Sequence, residues 1–82
     1  MYSVYILLCK GNRLYTGIAK DIEKRFAEHK KGTASKFTRA FAPMKIVYAK
    51  AYKGKSSALQ EEARIKCLPR AKKLELIKTT NK

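Results

Sequence analysis

Tyr5 and Tyr15 stand ten residues apart, each within a short run of mostly apolar residues: Val4-Tyr5-Ile6-Leu7, then Leu14-Tyr15-Thr16-Gly17-Ile18. Such runs make β-strands, because branched and aromatic side chains pack well on a pleated, half-buried surface. Lys10-Gly11-Asn12-Arg13 lies between them, and Gly and Asn tolerate the positive φ that a tight hairpin needs. The chain therefore opens with an antiparallel pair, Tyr2 to Cys9 and Arg13 to Ile18. The first run is apolar almost throughout, so it is expected to be covered on both faces, as a central strand.

Asp21 is placed to cap a helix over about Ile22 to Lys31, with Ile22 and Phe26 as its apolar stripe and Gly32 as its C′ residue. Thr33 to Pro43 has no clean periodicity and reads as a loop with room for a helical turn. Lys45 to Tyr52 is a third strand, broken by Gly54. Ser57 and Gln60 form a capping box for a second helix that runs to about Cys67, with Ser56 as the alternative cap. Pro69 suits the first turn of a third helix, about 69 to 78, whose apolar face is Ala71, Leu74 and Ile77. Thr79 to Lys82 reads as a polar tail. The expected architecture is α+β, ordered β-β-α-β-α-α: a small three-stranded antiparallel-type sheet flanked by helices.

Eighty-two residues are expected to make one domain, residues 1–82. Twenty Lys and Arg against six Asp and Glu give a formal charge of +14, whose self-repulsion a polyanion would offset. Nucleic acid is the expected partner; a protein partner stays open. A membrane is not expected, because the longest apolar run, Val4 to Cys9, is far too short to span one and no long basic amphipathic helix carries bulky aromatics. No signal-peptide pattern precedes that run, and the expected compartment is the cytoplasm. Cys9 and Cys67 are too few for a zinc site with one histidine, and both are read as small buried hydrophobes.

The chemistry-bearing residues each have a plainer alternative. Glu62 shares a helix side with Ala58, Leu59 and Ile65, where a carboxylate needs a partner or a metal; pairing with Lys66 at i+4 would serve. Glu61 falls elsewhere and is expected to be solvated. Arg25 and His29 share a face at i, i+4, which suits phosphate binding and proton shuttling, or is simply a charged surface. Tyr5 and Tyr15 are expected to lie close together across the hairpin, either filling the core or, with nearby cations lowering a phenol's pKa, acting as a base. Gly17 permits close backbone approach, or is a simple bend. Thr33 to Arg39 mixes hydroxyls, cations and Phe37, which suits phosphate contact and base stacking.

Taken in order, these residues resemble the GIY-YIG nuclease superfamily, in particular its small stand-alone bacterial members. Val4-Tyr5 is similar to the first half of the name motif and Tyr15-Thr16-Gly17 to the second, with Ser3 in place of the first glycine and Thr16 in place of an isoleucine. Arg25 matches the family's helix arginine, His29 a position that often holds His or Tyr, and Glu62 the metal-ligand glutamate. Leu14 to Ile18, Lys36-Phe37-Thr38-Arg39 and Glu62-Ala63-Arg64-Ile65-Lys66 carry the likeness to the stand-alone members. The resemblance spans about Tyr2 to Ile77. It implies an endonuclease acting on DNA with low sequence specificity, and leaves open structure selectivity and a link to DNA repair or processing. Tyr5, Tyr15, Arg25, His29 and Glu62 would be catalytic, one magnesium or manganese ion would sit on Glu62, and Gly17 would be structural at the site. Lys20, Lys24, Lys36, Thr38 and Arg39 are expected to touch nucleic acid. The competing classes are a nucleic-acid-binding module with weak or no activity, and a basic accessory protein of a larger assembly.

Overall fold

A computed structural model describes residues 1–80. The opening hairpin forms as its sequence requires: β1 (Tyr2–Cys9) pairs antiparallel with β2 (Arg13–Ala19), with Tyr5 opposite Gly17 and Leu7 opposite Tyr15. Gly11 and Asn12 supply the two positive-φ residues of the turn, at 80° and 60°. Helix α1 (Ile22–Lys31) starts where Asp21 accepts from the Lys24 N–H at 3.1 Å. It ends in a Schellman turn at Gly32 (φ 81°), with Gly32 N–H bonded to the His29 carbonyl and Thr33 N–H to that of Glu28.

Residues 36–40, read from sequence as part of a loop, form a short helix, α2 (Lys36–Ala40), capped by Ser35, whose hydroxyl accepts from the Thr38 N–H. The third strand, β3 (Pro43–Tyr52), begins two residues earlier than expected, since a proline is tolerated as the first residue of a strand. It pairs antiparallel with β1 on the side away from β2, which makes β1 central. The register slips twice, at Val47 and at Met44, so Ile6 faces Tyr48 while Leu7 faces Ile46, and Leu8 faces Lys45 while Cys9 faces Pro43.

Helix α3 (Lys55–Lys66) starts ahead of the expected capping box: extended Gly54 takes the cap position, and Ser57 lies inside the first turn. Helix α4 (Arg70–Thr80) follows Pro69, whose carbonyl accepts from Lys72 and Lys73, and runs beyond the expected end. Of the expected polar tail, Thr79 and Thr80 are helical, and Asn81 and Lys82 lie outside the described residues. Of the expected buried face of α4, Ile77 packs inward, together with Leu76, whereas Ala71 and Leu74 are exposed. Cys67 is exposed rather than buried, and only Cys9 behaves as a core hydrophobe. On α3, Ala58 and Ile65 are buried but Leu59 is exposed.

Alternation along β1 divides the interior in two. Val4 and Ile6 pack with Val47, Tyr48, Ala58 and Ile65 beneath α3 and α4. Tyr5, Leu7 and Cys9 face the other way, onto Ile22 and Phe26 of α1 and the Phe37/Phe41 pair. The stack Tyr15–Phe37–Phe41 is closed by the Arg13 guanidinium, 4.0 Å above the Phe41 ring. No helix among the described residues is long and apolar enough to cross a membrane.

Candidate active site

The hairpin register decides where the two tyrosines go. Tyr5 and Tyr15 lie on one face of the sheet with ring centroids 6.5 Å apart. Gly17, directly opposite Tyr5, leaves open the space a side chain would take: a Cβ there would sit 2.7 Å from the Tyr5 hydroxyl and 3.2 Å from the Tyr15 ring. Gly17 is thus a matter of close approach, not of unusual φ. We expect Gly17→Ala to displace the buried Tyr5 ring and destabilise the fold by about 1–3 kcal/mol, the usual effect of overpacking; a melting temperature within a degree of wild type would disprove this.

The Schellman turn and the Ser35 cap bring α1 and α2 together around His29. Its ring is 1 % exposed, with Nε2 2.8 Å from the Tyr5 hydroxyl and Nδ1 2.7 Å from Thr38 Oγ1. Thr38 in turn lies 2.9 Å from Ser35 Oγ. A line of hydrogen bonds thus runs Tyr5–His29–Thr38–Ser35, and among the described residues no buried side-chain polar atom lacks a partner. Thr38 is 2 % exposed, which corrects its expected place among the nucleic-acid contacts: it holds the histidine. Lys20, Lys24, Lys36 and Arg39, expected in the same role, are exposed.

Burial sets the protonation of this pair. Desolvation, reinforced by the Arg25 charge, holds His29 below the ordinary histidine value of 6.5, with Glu28 opposing. Burial also pushes the Tyr5 phenol well above its ordinary value; Tyr15 and Glu62 add to the rise and Arg25 opposes it. The sequence argument that a nearby cation would lower a phenol therefore fails at Tyr5, where desolvation outweighs Arg25. Because folding lowers the His29 pKa, the unfolded chain binds more protons below pH 6.5, and the stability from this residue is full above that pH. We expect the melting temperature to fall as pH drops through a window opening just below 6.5, and His29→Gln to flatten that part of the profile. An unchanged slope in the variant would remove His29 as the cause.

Glu62 comes from α3, on the opposite face of β1, and lines the same recess of about 190 Å³ as Tyr5, Tyr15, Arg25 and His29. Edge strand β2 supplies the remaining wall through Gly17 and Ile18, and Ala34 closes the far end. The i+4 pairing forms: the Glu62 side chain, 18 % exposed, pairs with Lys66 Nζ at 3.3 Å while lining the recess. Arg25 pairs with Glu28 at 3.3 Å on an exposed face. Glu61 is not solvated as expected. It takes two bonds from Arg64, at 2.7 and 2.5 Å, and those, before the lesser help of Lys50 and Tyr52, hold its carboxyl below the usual range.

Five side chains from β1, β2, α1 and α3 thus converge on one small opening, and the spacing that brings them there is matched elsewhere. Residues 1–75 match the model of the GIY-YIG catalytic domain. The chain belongs to the GIY-YIG family. It is 47 % identical over 74 residues to a UPF0213 protein of Staphylococcus saprophyticus, covering 90 % of each chain. It is equally close to a UPF0213 protein of Oceanobacillus iheyensis, over 90 % of this chain and 86 % of that one. The solution NMR structure of the UPF0213 protein BH0048 from Bacillus halodurans superposes with a TM-score of 0.62 at 36 % identity, over 96 % of this chain and 85 % of that one. Membership of the GIY-YIG family links the chain to nucleases.

What sequence reasoning missed is the role of Thr38 as the second partner of His29. Ser35 ahead of Thr38, with Phe37 and Phe41 at i, i+4, was the available signal for a capped turn with Thr38 on it.

Proposed function

We propose that the chain is a single nuclease domain, a metal-dependent endonuclease that hydrolyses DNA phosphodiesters with little sequence specificity. The observation that carries this reading is the hydrogen bond from Tyr5 to a buried, neutral His29, in a recess that Arg25 and Glu62 also line.

A standing Tyr5 phenolate is disfavoured, so the tyrosine acts as a relay. A water in the recess gives a proton to the Tyr5 oxygen as the Tyr5 proton passes to His29 Nε2. Nδ1–H donates to Thr38 Oγ1, whose own proton goes to Ser35; this fixes the tautomer that leaves Nε2 free to accept. The water oxygen bonds to phosphorus, the bond to the leaving oxygen breaks, and that oxygen takes a proton from solvent. The products are a phosphomonoester and a hydroxyl. Arg25 donates to the phosphoryl oxygens as charge builds. Its pair with Glu28 is the kind of surface contact worth about 0–1 kcal/mol, so it gives way readily to phosphate.

Among the described residues no cluster of three or more His, Cys, Asp or Glu side chains could hold a metal on its own. A single carboxylate beside a phosphate site still fits magnesium or manganese, which keeps most of its water and is commonly held by one carboxylate plus substrate. Glu62 would hold it, and the bound ion would supply Lewis-acid charge at the phosphoryl oxygens. Metal affinity in the absence of DNA is therefore expected to be weak.

The deciding experiment incubates pure protein with branched, nicked, linear and single-stranded DNA, with and without magnesium. Magnesium-dependent cleavage of any of them supports the reading, and binding to all without cleavage leaves a nucleic-acid-binding module. Affinity should fall steeply with salt, with a log–log slope of several released counterions given the +14 charge. Salt-insensitive binding would exclude an electrostatic interface.

A further inference from the structure

A larger groove, of about 460 Å³, adjoins the recess and shares Ile18 and Arg25 with it. Its size falls within the range of roughly 300–1,000 Å³ that small-molecule sites occupy, and it is far too narrow to take a duplex. Tyr2 forms one wall. Its ring is half-buried against the core beneath α3 and α4, so it is held in place, and the Lys20 ammonium lies 5.5 Å from its centroid. Lys24 and Lys55 line the same groove. Two carboxylates also line it, but both are engaged: Asp21 caps α1 and Glu28 pairs with Arg25. Among the described residues no carboxylate pairs with the ammonium of Lys20, Lys24 or Lys55. Lys55 also opens α3, whose cap residue Gly54 offers no side-chain acceptor, so first-turn N–H groups there face no competing cap.

We propose that this groove holds one unpaired nucleotide next to the scissile phosphate, with its base on Tyr2 and its phosphate among Lys20, Lys24 and Lys55, and that the preferred substrate is DNA with single-stranded character at the cut. The proposal rests on the nuclease reading only for the position of the scissile phosphate. Aromatic rings stack any base, while cations follow the backbone, which gives affinity without sequence readout. A base inside a duplex stays in its stack and cannot reach the ring without being extruded. Selectivity for structure then follows from Tyr2, not from an attached recognition module.

The test measures binding in EDTA, so no turnover is needed, using fluorescence anisotropy on a forked DNA with unpaired arms and on a blunt duplex of equal length. Wild type is expected to bind the fork more tightly. Tyr2→Leu should lose fork affinity on the order of tenfold and leave duplex affinity unchanged. Tyr2→Phe, which keeps the ring, should retain fork binding, and Lys24→Ala should weaken both. A Tyr2→Leu variant that binds the fork like wild type, or weakens equally on fork and duplex, overturns the proposal, as does a wild type with no preference. Should Tyr2→Leu fail to fold, 2-aminopurine in the unpaired arm reads the same contact in the wild-type protein: quenching on binding supports it and unchanged fluorescence overturns it. Fork preference without magnesium-dependent cleavage would leave the groove standing and sink the nuclease reading; cleavage without fork preference would do the reverse.

Discussion

Glu62→Gln is expected to lose cleavage by about a thousandfold or more, yet still to fold and to bind DNA. The substitution keeps the shape and removes the charge that would hold the metal, whose Lewis-acid contribution is worth several kcal/mol at the transition state. Little stability goes with it, because a Glu62–Lys66 pair at i, i+4 contributes only about 0.2–0.5 kcal/mol. Removing one negative charge from so basic a surface leaves non-specific affinity equal or slightly higher. Glu61→Gln is the neighbouring control. It removes the charge and one of the two acceptors facing Arg64 and should lower the melting temperature, but its folded fraction is expected to cleave at the wild-type rate. Cleavage by Glu62→Gln at the wild-type rate would mean that the metal is held elsewhere or is not used.

The second large effect separates the tyrosines. Tyr5→Phe removes the hydroxyl bonded to His29 Nε2, and cleavage should fall at least a hundredfold, as expected for a lost proton-transfer group. The variant should still fold, with a loss of about 1–3 kcal/mol for the ring nitrogen left without a partner. Tyr15 has a different place: its ring stacks on Phe37 and meets the His29 ring edge-on, so Tyr15→Phe keeps those contacts and should cost only a few-fold in rate. Arg25→Ala should lose about a hundredfold or more in rate, beyond its loss in affinity, since its charge matters most at the transition state. Single-turnover rates and DNA affinities for the three variants check the set. Full activity in Tyr5→Phe would end the relay.

What could be read from the chain itself depended on how local the determinant is. The hairpin was legible because Gly11-Asn12 and the two apolar runs fix pairing over a short span. Helix α1 was legible because Asp21 and Gly32 mark both its ends. The convergence of Tyr5, Tyr15, Arg25, His29 and Glu62 followed from strand pairing and helix periodicity together with the family likeness. Features that depend on tertiary burial were not legible. Nothing local shows that Tyr5 sits deep enough for desolvation to outweigh Arg25, or that Thr38 turns inward to bond His29. Nor does the helical wheel show that Glu61 lies beside Tyr48 and Tyr52 of β3, with its side chain only 17 % exposed. The Ser57–Gln60 box misled because a glycine in extended conformation just ahead of it took the cap position.

The recess draws its carboxylate from one side of β1 and its imidazole and guanidinium from the other. Neither half makes the recess alone. A chain that has released α3 keeps the hairpin, α1 and the tyrosine–histidine pair but has no ligand for the ion; a chain that has released α1 keeps the ligand but has no proton acceptor. On the nuclease reading, cleavage therefore requires the fully docked molecule. A partly unfolded form keeps the +14 charge and, on the same reading, would still be drawn to a polyanion but could not cut it.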